Sequence, residues 1–448
     1  VPRFGADIPG GPLRARLAPL LDVRALLPVV SVSARQRTAV RRDALGKAVT
    51  SLTVHNQLEV DGATESHSRW IVEVDELAGY AKAAEGARRL LLSLGLQPLD
   101  GDLIALAAGV ACADLGGHAS SPSVPLDRAE PSLDAFRRVL ANLAGEIDAN
   151  WEGAVDDVDT EFLHDLRVAV RRTRSILAQG KRVLPTSTRD RFREEFGWLG
   201  AATGPARDLD VYLIEWDSYV AHLGDEVAAA LAPLAGHLAD RRRAEHATLA
   251  DLLRAARYNE LMADWHRWLG EPTTGDGKIA IDASKPIGRI AARRIATAND
   301  ALLARGRGIG PDTPAEELHE LRKDAKKLRY LLECFGALLP SGGRKAFVQR
   351  LKVVQDNLGE HQDTEVHAAQ LRAMSHELHD AGTAGPDTLV AIGQLAGEFE
   401  RRRSEARAEF AERFAAYDTA ETRRSLDALV DAAKPGAQPL SGVAAPAR

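Results

Sequence analysis

Only two cysteines, Cys112 and Cys334, occur in 448 residues, too few for a disulfide framework or a thiolate zinc site. Aromatic residues are scarce at 5%, so a packed interior has to be built mainly from Leu, Ala and Val, as in helical bundles. No apolar run reaches the length of a membrane span; the best candidate, Leu90 to Cys112, is broken by Gly95, Pro98, Asp100 and Asp102. A positive excess is missing too. The formal net charge of −6 argues against bulk attraction to nucleic acid, so any anion site must be a local concentration of cations on an acidic background. No Gly-rich phosphate loop, nucleophile elbow or histidine–carboxylate metal spacing stands out. No secretory signal opens the chain, and the missing initiator methionine ahead of Val1-Pro2-Arg3 reads as an N-terminal truncation. These absences lead us to expect a cytoplasmic protein with no catalytic constellation, no resident metal and no membrane partner.

What is present begins with ordinary bulk numbers. Hydrophobic content of 45% and charged content of 27% are those of a globular protein, and the length implies two or three domains. Residues 13–112 look mixed. Val29-Val30-Ser31-Val32-Ser33 is a β-rich run followed by alternating Arg35, Arg37 and Arg41. Ala48 to Val60 alternates as far as the turn signal Asp61-Gly62, and Arg69 to Leu77 alternates again. Tyr80 to Leu94 reads as a helix stopped by Gly95. Residues 113–130, with Gly116-Gly117, Ser120-Ser121-Pro122 and Pro125, read as a linker. From 131 to 416 the pattern is helical, and 434–448 is expected to be a disordered tail. The fold class expected is α+β: a partial antiparallel β domain followed by a mainly α domain.

A single pattern occurs twice within the helical region. His164-Asp-Leu-Arg167-Val-Ala-Val-Arg171-Arg172-Thr-Arg174 is repeated 155 positions later as His319-Glu-Leu-Arg322-Lys-Asp-Ala-Lys326-Lys327-Leu-Arg329. The same offset carries Pro131 onto Pro286, Arg138 onto Arg293, Gly204 onto Gly359, Asp208 onto Asp363 and Val211 onto Val366. A gap-free register over so many landmarks indicates a duplicated unit, with repeats near 131–285 and 286–416 related by a pseudo-twofold axis. At about 100° per residue, His164, Arg167, Arg171 and Arg174 share a stripe roughly 80° wide, with Arg172 just outside it. Leu166, Val170, Thr173 and Leu177 lie opposite. The second copy sets Leu321, Ala325, Leu328 and Leu332 against its own basic front.

A solvated helix face normally mixes signs. Between Arg167 and Arg174 there are four arginines and no acid, and like charges one turn apart destabilise a helix by roughly 0.2–0.5 kcal/mol per pair. An anion would offset that repulsion. Arginine suits bidentate contacts to phosphate oxygens, whereas lysine acts as a point charge. No aromatic residue interleaves with the arginines, which disfavours single-stranded nucleic acid and favours a base-free polyanion. Protonated His164 and His319 could donate to it.

These paired motifs resemble the signature of CHAD domains (conserved histidine α-helical domains). The likeness extends to Gly204-Pro-Ala-Arg-Asp208 and Gly359-Glu-His-Gln-Asp363. It implies two four-helix bundles around a basic channel that binds inorganic polyphosphate. By that likeness His164, Arg167, Arg171, Arg172, Arg174, His319, Arg322, Lys326, Lys327 and Arg329 line the channel, with Arg138 and Arg293 as secondary candidates. Asp208 and Asp363 would be helix-start or salt-bridge residues that orient the arginines. Polyphosphate granules become a possible location, and nucleic acid an alternative ligand.

The N-terminal segment resembles the back half of a CYTH domain, a β-tunnel of triphosphate-binding enzymes. The likeness rests on Trp70-Ile71-Val72-Glu73-Val74-Asp75 and the earlier Pro28-Val-Val-Ser-Val with Arg35 and Arg37. It implies bases Arg35 and Arg37 for the triphosphate and acids Glu73 and Asp75 for a divalent metal. The family's E-x-E-x-K opening strand does not occur ahead of Leu13, so no triphosphatase activity is expected unless that domain is completed. The runs Arg241-Arg242-Arg243 and Arg401-Arg402-Arg403 are flanked by acids and read as solvated faces. Trp198, Trp265 and Trp268 read as core.

Overall fold

β-Branched residues in period-two alternation make strands near the N-terminus, and the 3.6-residue period makes helices thereafter. The computed structural model describes residues 3–60, 70–99, 103–111, 124–271 and 280–436. Cys112, the Asp61-Gly62 turn signal, most of the expected linker and residues 437–448 of the expected tail lie outside them. The chain divides into two units, Val1–Ala119 and Ser120–Arg448. Among the described residues no helix is long and apolar enough to cross a membrane.

In the first unit, helix α1 (Pro12–Leu21) precedes strands β1 (Val32–Arg42), β2 (Ala48–Val60) and β3 (Ile71–Glu76), then helices α2 (Ala81–Ser93) and α3 (Leu103–Val110). The strands form one antiparallel sheet in sequence order. The β1–β2 turn is fixed by Asp43, whose Oδ1 accepts the amides of Leu45 and Lys47, both at 2.9 Å. Gly46 supplies the left-handed φ of 78° that closes it.

The second unit is helical. The first repeat holds α4 (Ser132–Val155), α5 (Thr160–Gln179), α6 (Thr186–Ala202), α7 (Gly204–Ile214), the short α8 (Trp216–Val220) and α9 (Asp225–Ala230), α10 (Ala232–Arg254) and α11 (Ala256–Gly270). The second holds α12 (Ile287–Arg307), α13 (Ala315–Cys334), α14 (Ser341–Asp380), α15 (Pro386–Tyr417) and α16 (Ala420–Ala433). The starts of α4, α5 and α6 fall 155 positions before those of α12, α13 and α14, and α5 and α13 also end in register. The repeats then diverge for a local reason. Pro205 brings no amide to the helical ladder, and the Thr203 hydroxyl donates back to the Leu199 carbonyl at 2.8 Å. Helix α6 therefore stops and α7 begins. Residues 358–360 contain no proline, and α14 runs straight through as 40 residues.

The two repeats are joined at symmetry-equivalent positions. Pro131 and Pro286 form an antiparallel bridge. The amide of Ser132 donates to the Lys285 carbonyl and that of Ile287 to the Glu130 carbonyl, each at 2.9 Å. Each bond is the other shifted by the repeat offset, as a pseudo-twofold axis requires. One hydrophobic core spans both copies, with Phe136 of α4 packed 5.3 Å from Phe335 beyond α13. In it Trp265 stacks on Trp268 at 5.1 Å and meets Phe192 and Phe196 edge-on, while Trp198 packs at its margin. A second core, from Tyr212 and Tyr219 to Leu371, Met374 and Phe399, fastens α7–α10 to the distal halves of α14 and α15.

Candidate anion-binding cavity

Helix α5 begins where Asp159 Oδ1 accepts the amides of Glu161 (2.9 Å) and Phe162 (3.3 Å), a side-chain N-cap. Leu166, Ala169, Val170 and Thr173 of α5, and Leu321, Ala325 and Leu328 of α13, are fully buried. Those apolar backs fix the rotation of both helices and turn the basic residues the other way. Between them opens a cavity of about 660 Å³. Its walls are Arg171, Arg174, Ser175 and Ala178 of α5, Lys323, Lys326, Lys327 and Tyr330 of α13, and Asp190, Arg193 and Glu194 of α6.

Of the ten expected channel residues, the structure brings Arg171, Arg174, Lys326 and Lys327 together around this space. Among the described residues no carboxylate lies within 4.0 Å of any of these four cations. Elsewhere arginines are widely paired, so an unpaired group from both repeats is distinctive. Burial pushes the Lys326 ammonium down to about 8, helped by repulsion from Arg322, Arg171 and Arg329 against the pull of Asp363. The Arg171 Nε is buried without a hydrogen-bond partner.

Arg167 and Arg322 are not among the residues that line this cavity. The Arg167 guanidinium donates to the Gly200 carbonyl (3.0 Å) and the Thr203 hydroxyl (2.8 Å). Burial pulls it down to about 10, opposed by Asp208. Arg322 reaches both oxygens of Asp363, at 3.1 and 3.3 Å. Each lies over a glycine: a Cβ at Gly204 would stand 3.7 Å from Arg167, and one at Gly359 would stand 3.8 Å from Arg322. Both are ordinary contact distances, so the structure gives no steric reason for the repeated glycines. Asp208 and Asp363 sit inside α7 and α14 rather than at helix starts, and Asp363 has the expected salt-bridge role.

Several of the expected residues are placed elsewhere. Arg172 points away from the cavity and donates through Nε and Nη2 to Glu333 Oε2 at 3.3 and 2.9 Å, with Glu146 3.7 Å away. Arg329 is held to Glu333 Oε1 at 2.7 Å. The two are therefore engaged by protein carboxylates. Arg138 holds the Pro125 carbonyl (2.9 Å) and Glu130 (2.8 Å), and Arg293 holds Asp282 (3.1 Å), so both brace the segments leading into α4 and α12. His319 Nδ1 is 2.7 Å from Gln362 Oε1. Arg242 is no solvated residue either: it joins Asp210 at 2.8 Å and also Asp157. Arg402 pairs with Glu360 at 2.7 Å and lies over the Phe399 and Tyr219 rings.

One metal-like grouping, unexpected from the spacing, comprises Glu161, His164 and Asp165, whose ligand atoms lie within 4.8 Å of one another. The Arg207 guanidinium stands 3.6 Å from Glu161 and bonds the Thr160 carbonyl at 3.1 Å. A fixed cation thus already serves that carboxylate.

The sheet separates the N-terminal candidates. Directly paired residues share a face, so Arg37 lies with Val54 and Val72, while Glu73 lies with Thr53 and Thr38, and Asp75 with Ser51 and Val40. Arg35, two residues from Arg37, shares its face. The bases and acids therefore occupy opposite faces and cannot line one interior. Glu73 instead meets His55 at 3.4 Å and Asp75 accepts from Ser51.

Seven of the eleven lining residues were not apparent in the sequence, among them Arg193, Lys323 and Tyr330. Lys323 and Tyr330 do lie one turn from Lys327 and Lys326 on α13, which was a usable signal; Arg193 sits on a helix with no repeated basic motif.

Comparison with known proteins agrees with this architecture. The CHAD domain family model matches residues 138–372. Uncharacterized proteins from two strains of Mycobacterium tuberculosis are each 28% identical over 290 residues, covering 61% of this chain and 51% of theirs. The chain thus spans about half the length of these curated relatives. The crystal structure of the CHAD domain from the plant Ricinus communis superposes with a TM-score of 0.51 at 25% identity, covering 69% of this chain and 96% of that one.

Proposed function

Since this chain belongs to the CHAD domain family, we propose that it binds inorganic polyphosphate in the cavity between α5 and α13. The observation that carries this reading is the set of four cations, Arg171, Arg174, Lys326 and Lys327, gathered from both repeats without carboxylate partners. Assembling them is electrostatically unfavourable in the free protein, and a polyanion reverses the sign of that term. Basic residues one turn apart lie about 5–6 Å apart, so a stripe of them can follow an extended chain of phosphates. Arg193 and Lys323 extend the positive wall, while Asp190 and Glu194 mark its margin. No metal or cofactor is required for capture of this kind. Association with polyphosphate stores would follow from it.

Nucleic acid is the weaker reading. Tyr330 is the one aromatic side chain on the cavity wall, and sequence-tolerant binding of single strands uses several stacking rings in succession. A triphosphatase activity draws no support from a sheet whose bases and acids face apart.

The test is titration with polyphosphate of defined length at two salt concentrations. With four cations neutralised, log K should fall with log salt at a slope of about −3. The Arg171→Glu/Lys326→Glu double variant should lose binding with its helicity intact. Full affinity in that variant, or a stronger preference for RNA than for polyphosphate in competition, would remove the reading.

A further inference from the structure

The position of Lys326 bears on how the ligand is held. On α13, Arg322 and Arg329 stand one turn before and after it, with Lys323, Lys327 and Tyr330 alongside. Helix α5 presents Arg171 and Arg174, α6 presents Asp190, Arg193 and Glu194, and α14 presents Asp363. Asp363 is already engaged by Arg322, and Arg305 of α12 is turned to Glu317 and Asp324. Lys326 is therefore a half-buried primary amine whose repelling neighbours, Arg322, Arg171 and Arg329, are guanidinium groups that cannot release their protons, so within that set the lysine is the group that can relieve the repulsion by losing one.

We infer that the cavity is a proton-coupled anion trap, in which the Lys326 amine gains a proton as a polyanion enters and capture weakens in alkaline solution. This rests on the polyphosphate reading and adds a regulation to it. Burial and the neighbouring arginines hold the free amine down to about 8, and an anion opposes both effects. The sign follows from linkage: the bound form holds more protons than the free form above that value, so affinity is full below it and is lost as pH rises through it.

The experiment is calorimetry with long-chain polyphosphate in two buffers of different ionisation enthalpy. Uptake of about half a proton per protein is expected at pH 8 and almost none at pH 6. If the bound amine returns to its ordinary value, affinity should drop about thirtyfold between pH 6.5 and 9.5. Lys326→Arg should abolish the uptake and flatten the pH profile. Binding without proton uptake at pH 8, or uptake unchanged in Lys326→Arg, overturns this inference and leaves the polyphosphate reading standing. Absence of binding at every pH overturns both.

Discussion

Replacing Arg172 with methionine separates a structural role from a ligand role inside one motif. The Arg172 side chain is 12% exposed, and its partners Glu333 and Glu146 are 14% and 10% exposed. Methionine keeps the aliphatic packing but leaves two carboxylates facing each other without their cation. Breaking a buried pair from one side costs about 3–5 kcal/mol, a large share of the 5–15 kcal/mol typical of a folded domain. At about 2–4 °C per kcal/mol the melting temperature should fall by about 6–20 °C, nearer the lower figure for a unit of this size. Polyphosphate affinity should stay within about twofold of wild type, because Arg172 does not line the cavity. Burial pushes Glu146 up to about 7, against the pull of Arg172 and Asn142. At pH 6 it is already mostly protonated, and the variant is left with one buried charge rather than two. The stability deficit should therefore shrink on going from pH 8 to pH 6. The Arg172→Met/Glu333→Met double variant should recover most of the loss, since exchanging a whole buried pair for apolar groups is often near neutral. Scanning calorimetry at both pH values, paired with polyphosphate titration, measures all of this. A single variant that melts like wild type yet binds polyphosphate tenfold more weakly would refute the assignment.

Three further outcomes are expected. Glu146→Gln mimics the protonated carboxyl. Because the folded-state value is raised above 4.5, wild-type stability should decline as pH rises from about 4.5 to 7, and this variant should flatten that decline in urea titrations across the window. Lys326→Met removes an unpaired cation from a cationic cluster, so it should raise the melting temperature of the ligand-free protein while reducing the stabilisation produced by added polyphosphate. In Gly153→Ala the new Cβ would stand 2.3 Å from the Phe162 ring; overpacking of that kind should cost about 1–3 kcal/mol in chemical denaturation, and unchanged stability would mean that α4 and α5 pack more loosely there than the structure has them.

The helical duplication was legible because its signal is periodic and local. The 155-residue offset in the basic motifs reappears in the limits of α5 and α13, and the apolar positions opposite those motifs are the buried ones. Helix faces follow from spacing alone, as for Arg171, Arg174 and Lys326; Lys327, the counterpart of Arg172, lies outside that stripe and still reaches the cavity. Partner choice does not follow from spacing. Arg172 lies just outside the basic stripe, and its acceptor Glu333 is 161 positions away, at a site that Ala178 occupies in the first repeat. Nothing in a duplicated pattern reveals an interaction that breaks the duplication. The same holds for Arg242, whose flanking Asp240 is taken by Arg243 while Asp157 arrives from the α4–α5 turn and Asp210 from α7. In the sheet, alternation identified strands but not faces. The face of Arg37 relative to Glu73 depends on which β2 residue each one opposes, and a one-residue change in register would have reversed the result. Charge in a sequence therefore locates where anions can be held only after the carboxylates of the fold have taken their share. By that criterion the cations left over, rather than the most basic segment, define the proposed site: Arg193 of α6 lines the cavity and Arg172 of the motif does not.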